Sequence, residues 1–185
     1  MNNKVTKYIK EPKRIVLYLM NKGIFKYLPD EKYLKLKYYL EMGEKLDLEN
    51  PKDYSSKLQW LKLYDRKKEY SNLVDKYESK KYIKNLIGDE YIIPTIGIYN
   101  KFDDIDFSKL PNKFVIKTTH GCGGGEICYD KSLLNLKTLK NEINKSLKHN
   151  YFYNHREYPY KNVHPRIIVE QLLENNDGSK LIEYN

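Results

Sequence analysis

The sequence predicts an α+β protein in which a helical N-terminal region, residues 1–73, is followed by a strand-strand-helix-strand region within residues 74–185. Apolar residues recur at helical spacing up to Gly88, after which short β-branched runs bounded by Pro, Gly and Asp are typical of strands. A segment with four glycines in five positions, residues 121–125, separates two of those runs. The content of 40% hydrophobic and 14% aromatic residues indicates a folded globular chain.

Two helices are predicted in the N-terminal region. The first can be capped by Asp30 and ended by Gly43. It carries at helical spacing Tyr33, Leu34, Lys37 and Tyr38. The second has start signals at Pro51 and at Ser55 or Ser56. Its predicted buried stripe consists of Leu58, Trp60, Leu61 and Tyr64.

A third helix is predicted over residues 75–88. Asp75 can cap it, Glu78 lies three residues on as in a capping box, and Gly88 suits its end. Its apolar residues at helical spacing are Tyr82, Ile83, Leu86 and Ile87.

Four strands are predicted, at 90–99, 113–119, 126–130 and 166–173. The second and third would pair as a hairpin with a long glycine tip. A helix over about 132–149 follows, with one face made of Leu136, Leu139, Ile143 and Leu147. After a turn at 176–178, a fifth strand would begin at residue 180.

The formal net charge of +9 is concentrated near the N-terminus, where residues 1–40 hold ten Lys or Arg and three acidic residues. A basic surface attracts nucleotides, acidic glycans, nucleic acid or anionic lipid without selecting among them. No nucleic-acid recognition motif is visible, so we expect no such partner. The longest apolar run, Ile15–Met20, is far shorter than the ~20 residues that cross a bilayer, and it does not resemble a secretory signal. We expect a cytoplasmic protein whose basic N-terminus permits peripheral contact with the inner membrane face.

Two cysteines, Cys122 and Cys128, form with His120 the pattern H-x-C-x5-C. Two cysteines are too few for a disulfide scaffold, and a zinc site needs a fourth ligand and closer spacing. We therefore predict no metal site among these residues.

The glycine segment lies within "FVIKTTHGCGGGEICYDK", residues 114–131. It is not a Walker A loop, because no Lys follows the last glycine, and a dinucleotide fingerprint would need glycine where Glu126 stands. Both motifs also require a following helix, whereas a strand is predicted here. A hairpin tip of bare main chain, entered by Lys117, can close over a triphosphate. The alternative is a mobile hairpin turn.

The strand lysine, the glycine hairpin and "RIIVEQLL" resemble the nucleotide-binding half of an ATP-grasp fold. A wider set of segments is similar to the TupA-like ATP-grasp family, namely "LQWLKLYDRK", "DKYESKKYI", "DIDFSKLPNKFVIKTTHG" and "REYPYKNVHPRIIVEQLL". The resemblance implies an ATP-dependent carboxylate-amine ligase that acts through an acyl-phosphate. It also implies a pathway, teichuronopeptide-like or capsular polysaccharide biosynthesis, and ATP and Mg²⁺ as cofactors.

The resemblance also implies a set of nucleotide-binding residues. Lys76 and Lys117 would contact the α- and β-phosphates, and Glu170 would accept the adenine amino group. The lid over the phosphates would comprise Gly121, Gly123, Gly124 and Gly125, with His120 beside it. The hinge beside the base would comprise Gln171, Leu172 and Leu173. Without the resemblance, the favoured explanation of Glu170 is a polar residue on the outer face of a strand.

Arg156 is the candidate catalytic residue, because a guanidinium can clamp a phosphate or carboxylate through two parallel hydrogen bonds. A solvated loop explains the charged cluster around it equally well. The resemblance implies Mg²⁺ ligands beyond residue 185, in a second ATP-grasp subdomain that would be truncated here. We expect that either the sequence is a fragment or truncated form, or its catalysis is incomplete. The expected substrates are a carboxylate-bearing glycan, such as a uronic acid, and an amino acid.

Two alternatives remain open at this point. One is a sugar-nucleotide glycosyltransferase of a capsule pathway that uses the D-x-D of Asp104 and Asp106 to bind a metal-diphosphate; a turn before a strand explains the same residues. The other is a nucleotide-binding remnant without turnover.

Overall fold

A computed structural model describes residues 12–121, 125–175 and 179. The described residues divide into two compact units. Unit 1 contains the residues up to Tyr70 together with Tyr151–Lys161, and unit 2 contains Ser71–Asn150 and the residues from Asn162 onward. The division after Tyr70 differs by three residues from the predicted one. The return of 151–161 to unit 1 has no counterpart in the prediction.

The α-helices of the described chain are, in order, α1 (Pro12–Asn21), α2 (Asp30–Met42), α3 (Tyr54–Tyr64), α4 (Tyr70–Val74), α5 (Glu78–Ile87), α6 (Leu136–Leu147) and α7 (Phe152–His155). Short 3-10 helices lie at Asp89–Tyr91, Phe102–Asp104, Phe107–Lys109, Lys131–Leu133 and Tyr158–Tyr160. None of the described helices is long and apolar enough to cross a membrane.

The core of unit 1 is formed by Met20, Tyr33, Leu34, Tyr38, Leu46 and Leu48. The predicted face of α2 is buried, and Gly43 ends the helix in the left-handed region, with its amide donating to the Tyr39 carbonyl. Asp30 is the first residue of α2 rather than its cap. Its carboxylate instead pairs with two arginines.

Helix α3 begins at a cap that the sequence interpretation missed. The Ser56 amide donates to Asp53 Oδ1 at 2.9 Å, so Asp53 caps the helix in place of the predicted serines. The predicted buried stripe is wrong, since Trp60 and Tyr64 are exposed and Ser56 is the residue of α3 that is buried. The Trp60 and Tyr64 rings lie 5.0 Å apart, so their contact is within the helix.

Helix α5 is capped as predicted but lacks the capping box. Asp75 Oδ1 accepts the amides of Tyr77 and Glu78 at 2.8 and 3.0 Å. The Glu78 carboxylate accepts from Arg166 at 2.9 Å, while the Asp75 amide donates to the Ser71 carbonyl. The apolar residues of α5 are largely exposed, because the helix buries none of its side chains in the described chain.

Unit 2 contains a four-stranded antiparallel sheet in the order β1-β4-β2-β3. The strands are β1 (Thr95–Tyr99), β2 (Phe114–Thr118), β3 (Gly125–Cys128) and β4 (Ile167–Gln171). Strands β1, β2 and β4 fall within predicted segments, and β3 begins one residue before its predicted segment. The predicted β2–β3 hairpin is confirmed, with Phe114 opposite Cys128 and Lys117 opposite Gly125. The fold is thus α+β, compatible with part of an ATP-grasp domain.

The two faces of the sheet differ in composition. One face packs on α6, and the core of unit 2 lies between them. The core includes Phe114, Ile116, Cys128, Ile167 and Val169 from the sheet and Leu139 and Ile143 from α6. Strand alternation places Lys117 and Glu170 on the other face, where Val115 is opposite Glu170 and Lys117 is opposite Ile168. The register of the two central strands therefore brings these two charged side chains together.

Candidate nucleotide-binding site

A buried carboxylate is held between two lysines on the face of the sheet opposite α6. Glu170, 3% exposed in its side chain, accepts from Lys117 Nζ at 2.5 Å and also contacts Lys80 Nζ. An ionised carboxylate this deeply buried requires paired charges. Two lysines against one glutamate leave a local excess of one positive charge, which suits an anionic ligand.

The two lysines are held to different extents. Lys80, on α5, also donates to the Ile93 carbonyl at 2.7 Å and to Thr95 Oγ1 at 3.0 Å. Lys117 has Glu170 as its one partner among the described contacts, and its side chain is 29% exposed against 15% for Lys80. Lys117 can therefore turn toward an incoming anion while Lys80 continues to neutralise Glu170.

Lys76 joins helix α5 to the start of the glycine flap, which we define as residues 121–125. Its amide donates to the Thr119 carbonyl at 3.0 Å, and its Nζ donates to the Gly121 carbonyl. The Thr119 amide in turn donates to the Arg166 carbonyl at 2.8 Å, which continues the β2–β4 ladder. The structure thus brings Lys76, Lys117 and Glu170 to the base of the flap, and their contact with a nucleotide stays a prediction.

The far end of the flap requires glycine. Gly125 has φ +155°, and a Cβ at this position would lie 2.7 Å from the Ile116 carbonyl oxygen and 2.8 Å from Lys117 Cβ. Only the absence of a side chain lets β3 pair this closely beside Lys117. Cys122, Gly123 and Gly124 lie outside the described residues.

Buried polar side chains support the base of the flap. His120 is buried, and its Nε2 lies 3.1 Å from both the Ser146 and His149 carbonyl oxygens, so Nε2 carries the proton. Burial lowers the pKa of His120. Thr119 Oγ1 is buried without a hydrogen-bond partner among the residues that the structure describes. His120 therefore anchors the flap to the end of α6. These hydrogen bonds account for the position of His120 without a contact to the nucleotide.

The pKa of His120 predicts a loss of stability in mild acid. The unfolded chain takes up a proton near the ordinary histidine pKa of about 6.5, whereas the buried ring does so only at lower pH. Stability is therefore present above pH ~6.5 and falls as the pH drops through the folded-state pKa. In urea denaturation, we expect His120→Gln to lose less stability between pH about 7.5 and 5.5 than the wild type.

The control for this prediction is the exposed His164. His164→Gln should keep the wild-type dependence on pH. His155 of unit 1, whose pKa is lowered by burial and by Lys37, contributes a second part of the dependence. Identical pH dependence in wild type and His120→Gln would contradict the assignment.

The predicted hinge residues follow the end of β4. Gln171 is the last residue of the strand, and its amide donates to the Pro94 carbonyl at 3.0 Å. Leu172 is half-buried and Leu173 is exposed. The contact of this segment with a base stays a prediction.

Arg156 lies in the core of unit 1 with its side chain fully buried. Its Nη2 is 3.1–3.2 Å from the carbonyl oxygens of Phe25, Lys26 and Leu28, and its guanidinium stacks 4.0 Å from the Tyr33 ring centre. It also pairs with Asp30 at 3.1 Å. These contacts favour a structural function and do not support the predicted phosphate clamp or the solvated-loop alternative.

The sequence interpretation missed Lys80, whose contact with Glu170 completes the charge cluster. Lys80 lies four residues after Lys76, within the helix predicted over residues 75–88, and this spacing was the available signal. It also missed Arg166, which pairs with Asp75 at 3.0 Å and with Glu78 at 2.9 Å.

The D-x-D segment gives no support for a metal-diphosphate site. Ile105, between the two aspartates, lies in the core of unit 2. Asp106 accepts from the Ser108 amide and hydroxyl at 3.1 and 2.6 Å, as in the predicted turn. Within the described ranges, no group of three or more His, Cys, Asp or Glu side chains is arranged to hold a metal ion.

The sheet, the strand lysine and the glycine hairpin are features of an ATP-grasp type of protein. The family description "TupA-like ATPgrasp" matches residues 56–185, which is more than half of the chain. The chain therefore belongs to the TupA-like ATP-grasp family. No curated protein and no solved structure matches it.

Proposed function

We propose that the chain is an ATP-dependent carboxylate-amine ligase of cell-surface polysaccharide biosynthesis, teichuronopeptide-like or capsular. Family membership supports the ATP-grasp assignment, and the observation that carries the proposal is the Lys117–Glu170–Lys80 cluster at the base of the glycine flap. An excess positive charge beside a glycine-rich segment suits a polyphosphate.

The described residues fit ATP. Lys117 and Lys76 would neutralise the phosphates, and the flap would offer main-chain amides at close approach. Glu170 would accept the adenine amino group while Lys80 balances its remaining charge. In the proposed reaction, the substrate carboxylate takes the γ-phosphoryl group, giving an acyl-phosphate and ADP. An amine then attacks the acyl carbon, giving an amide and releasing phosphate.

The chain contributes charge neutralisation, alignment and exclusion of water to this reaction. Lys117 would turn from Glu170 to stabilise charge on the phosphates, while Lys80 keeps Glu170 neutralised. A closed flap protects an acyl-phosphate from hydrolysis. The described residues do not fit a Mg²⁺ site, and no step is assigned to the metal.

The test is ligand-dependent thermal stability followed by product analysis. ATP is expected to raise the denaturation midpoint of the chain, because a ligand at ~100 times its Kd adds about 2.7 kcal/mol to the stability of the state that binds it. UDP-glucose is expected to have no effect. Stabilisation by UDP-glucose alone would favour the glycosyltransferase, and stabilisation by neither ligand would contradict nucleotide binding.

Turnover is tested on the same protein with ATP, Mg²⁺ and a panel of uronic acids and amino acids. ADP release that depends on both a carboxylate and an amine is the expected result. ATP binding without ADP release from any pair would contradict the ligase and favour a nucleotide-binding protein without turnover.

A further inference from the structure

Unit 1 contains a cavity of about 350 Å³ that the nucleotide chemistry of unit 2 does not use. It lies between α3 and the segment that follows α7, and its lining includes Leu58, Leu61, Tyr70, Tyr158, Pro159 and Tyr160. Cavities of this size with mainly apolar and aromatic walls and a few polar groups are typical of small-molecule sites.

Two of the aromatic walls are held in place by other rings or charges. The Arg66 guanidinium lies 5.5 Å from the Tyr158 ring centre, and the Tyr160 ring packs 6.5 Å from that of Tyr151. The cavity is therefore lined by positioned rings that can cover an apolar group.

An ammonium and a carboxylate face this cavity with unused hydrogen-bonding capacity. Lys62 Nζ lies 4.0 Å from Glu157 Oε1, which is too long for a hydrogen bond. Neither group has a hydrogen bond within the part of the chain that the structure describes; the Lys62 side chain is 19% exposed and the Glu157 side chain 42% exposed. Burial lowers the pKa of Lys62.

The neighbouring charges are satisfied. Lys37 donates to the Asn154 carbonyl at 2.8 Å and to His155 Nδ1 at 3.0 Å. Asp65, also in the lining, accepts from the Tyr70 hydroxyl at 3.1 Å. Lys62 and Glu157 are therefore the two charged groups of the lining that lack a hydrogen bond within the described chain, and the cost of burial falls on the less exposed Lys62.

A ligand that satisfies this pair must carry an anion and a cation close together on an apolar body. A polyphosphate does not fit, because Asp65 and Glu157 outnumber the single lysine of the lining. A neutral sugar would bring no charge to either member of the pair. An α-amino acid has its ammonium and carboxylate on one carbon, and an apolar side chain would lie against the leucines and tyrosines.

We propose that this cavity binds an α-amino acid with an apolar side chain, with Lys62 contacting the α-carboxylate and Glu157 the α-ammonium. Binding does not depend on ATP. The inference that the bound amino acid is the amine substrate of the ligase rests on the proposed function.

Isothermal titration with three probes tests this assignment. L-phenylalanine carries both charges, L-phenylalaninamide lacks the carboxylate, and 3-phenylpropionate lacks the ammonium. Phenylalanine is expected to bind at least tenfold more tightly than either analogue, since a hydrogen bond to a charged group contributes about 1.5–3 kcal/mol. Equal binding of the three probes, no binding at millimolar concentration, or tighter binding of methyl glucuronide would overturn the proposal.

Two variants and a control assign the contacts. Lys62→Met should weaken phenylalanine about tenfold and leave phenylalaninamide unchanged, whereas Glu157→Gln should weaken phenylalanine and leave 3-phenylpropionate unchanged. Lys57→Met removes an exposed lysine of the same helix and should change none of these affinities. An equal effect of Lys62→Met and Lys57→Met would contradict the proposed contact.

ATP titration of the same variants separates this inference from the proposed function. Lys62→Met should bind ATP like the wild type. Loss of phenylalanine specificity with intact ATP binding would overturn only this inference. Phenylalanine binding in a chain that does not bind ATP would overturn only the proposed function.

Discussion

Replacing Arg156 by methionine is expected to lower the free energy of unfolding of unit 1 by about 3–5 kcal/mol, the usual cost of removing one partner of a buried ion pair. The change would remove one of the two arginines that pair with the Asp30 carboxylate. It would also remove the hydrogen-bond donor of three backbone carbonyl groups. The single tryptophan, Trp60, lies in unit 1, so its fluorescence during urea denaturation reports on this unit.

Arg66→Met is the matched control, because Arg66 pairs with the same Asp30 at 2.8 Å but is partly exposed. Its cost is expected to be about 1 kcal/mol or less. If Arg156 were instead a substrate clamp, Arg156→Met would keep its stability and lose activity. A destabilisation no larger than that of Arg66→Met would therefore contradict the structural function.

Lys117→Met is expected to weaken ATP binding roughly 10- to 100-fold, because one charge-assisted contact with a phosphate contributes about 1.5–3 kcal/mol. Methionine keeps much of the apolar stem, and Lys80 continues to pair with Glu170. The fold should therefore survive, and the loss should appear in the Kd measured by isothermal titration.

The matched control for this variant is Lys84→Met. Lys84 lies on α5 and pairs with Asp89 on the exposed surface, so its removal changes the net charge by the same amount. An equal loss of ATP affinity in both variants would mean that general charge, rather than the Lys117 contact, governs binding.

The strands and the hairpin could be predicted from sequence because β-branched runs and glycines are local signals. The strand order β1-β4-β2-β3 could not be predicted. Alternation of apolar and polar residues along a strand assigns each residue to a face of the sheet, but it does not determine which strand lies next to it. The predicted burial of the apolar residues of α3 was wrong for a similar reason. Helical periodicity indicates that a helix is amphipathic, but it does not show whether another element packs against Trp60, which is exposed.

The site could be predicted in part. Lys117 and Glu170 were found through the family resemblance, and the sheet register explains why they meet. The burial of Arg156 could not be predicted, because its partners are carbonyl groups about 130 residues earlier in the chain and no local pattern encodes that contact. The Lys62–Glu157 pair was missed because two distant segments form its cavity.

The most direct test of the central claim is lysine labelling with an acyl-phosphate derivative of ATP, read by mass spectrometry. The reagent acylates lysines that lie beside its phosphates. The account predicts rapid acylation of Lys117 and Lys76 that excess ATP suppresses, and slow, ATP-insensitive acylation of Lys109, whose side chain is 83% exposed. Labelling that follows exposure alone, with Lys109 ahead of both and no effect of ATP, would contradict it.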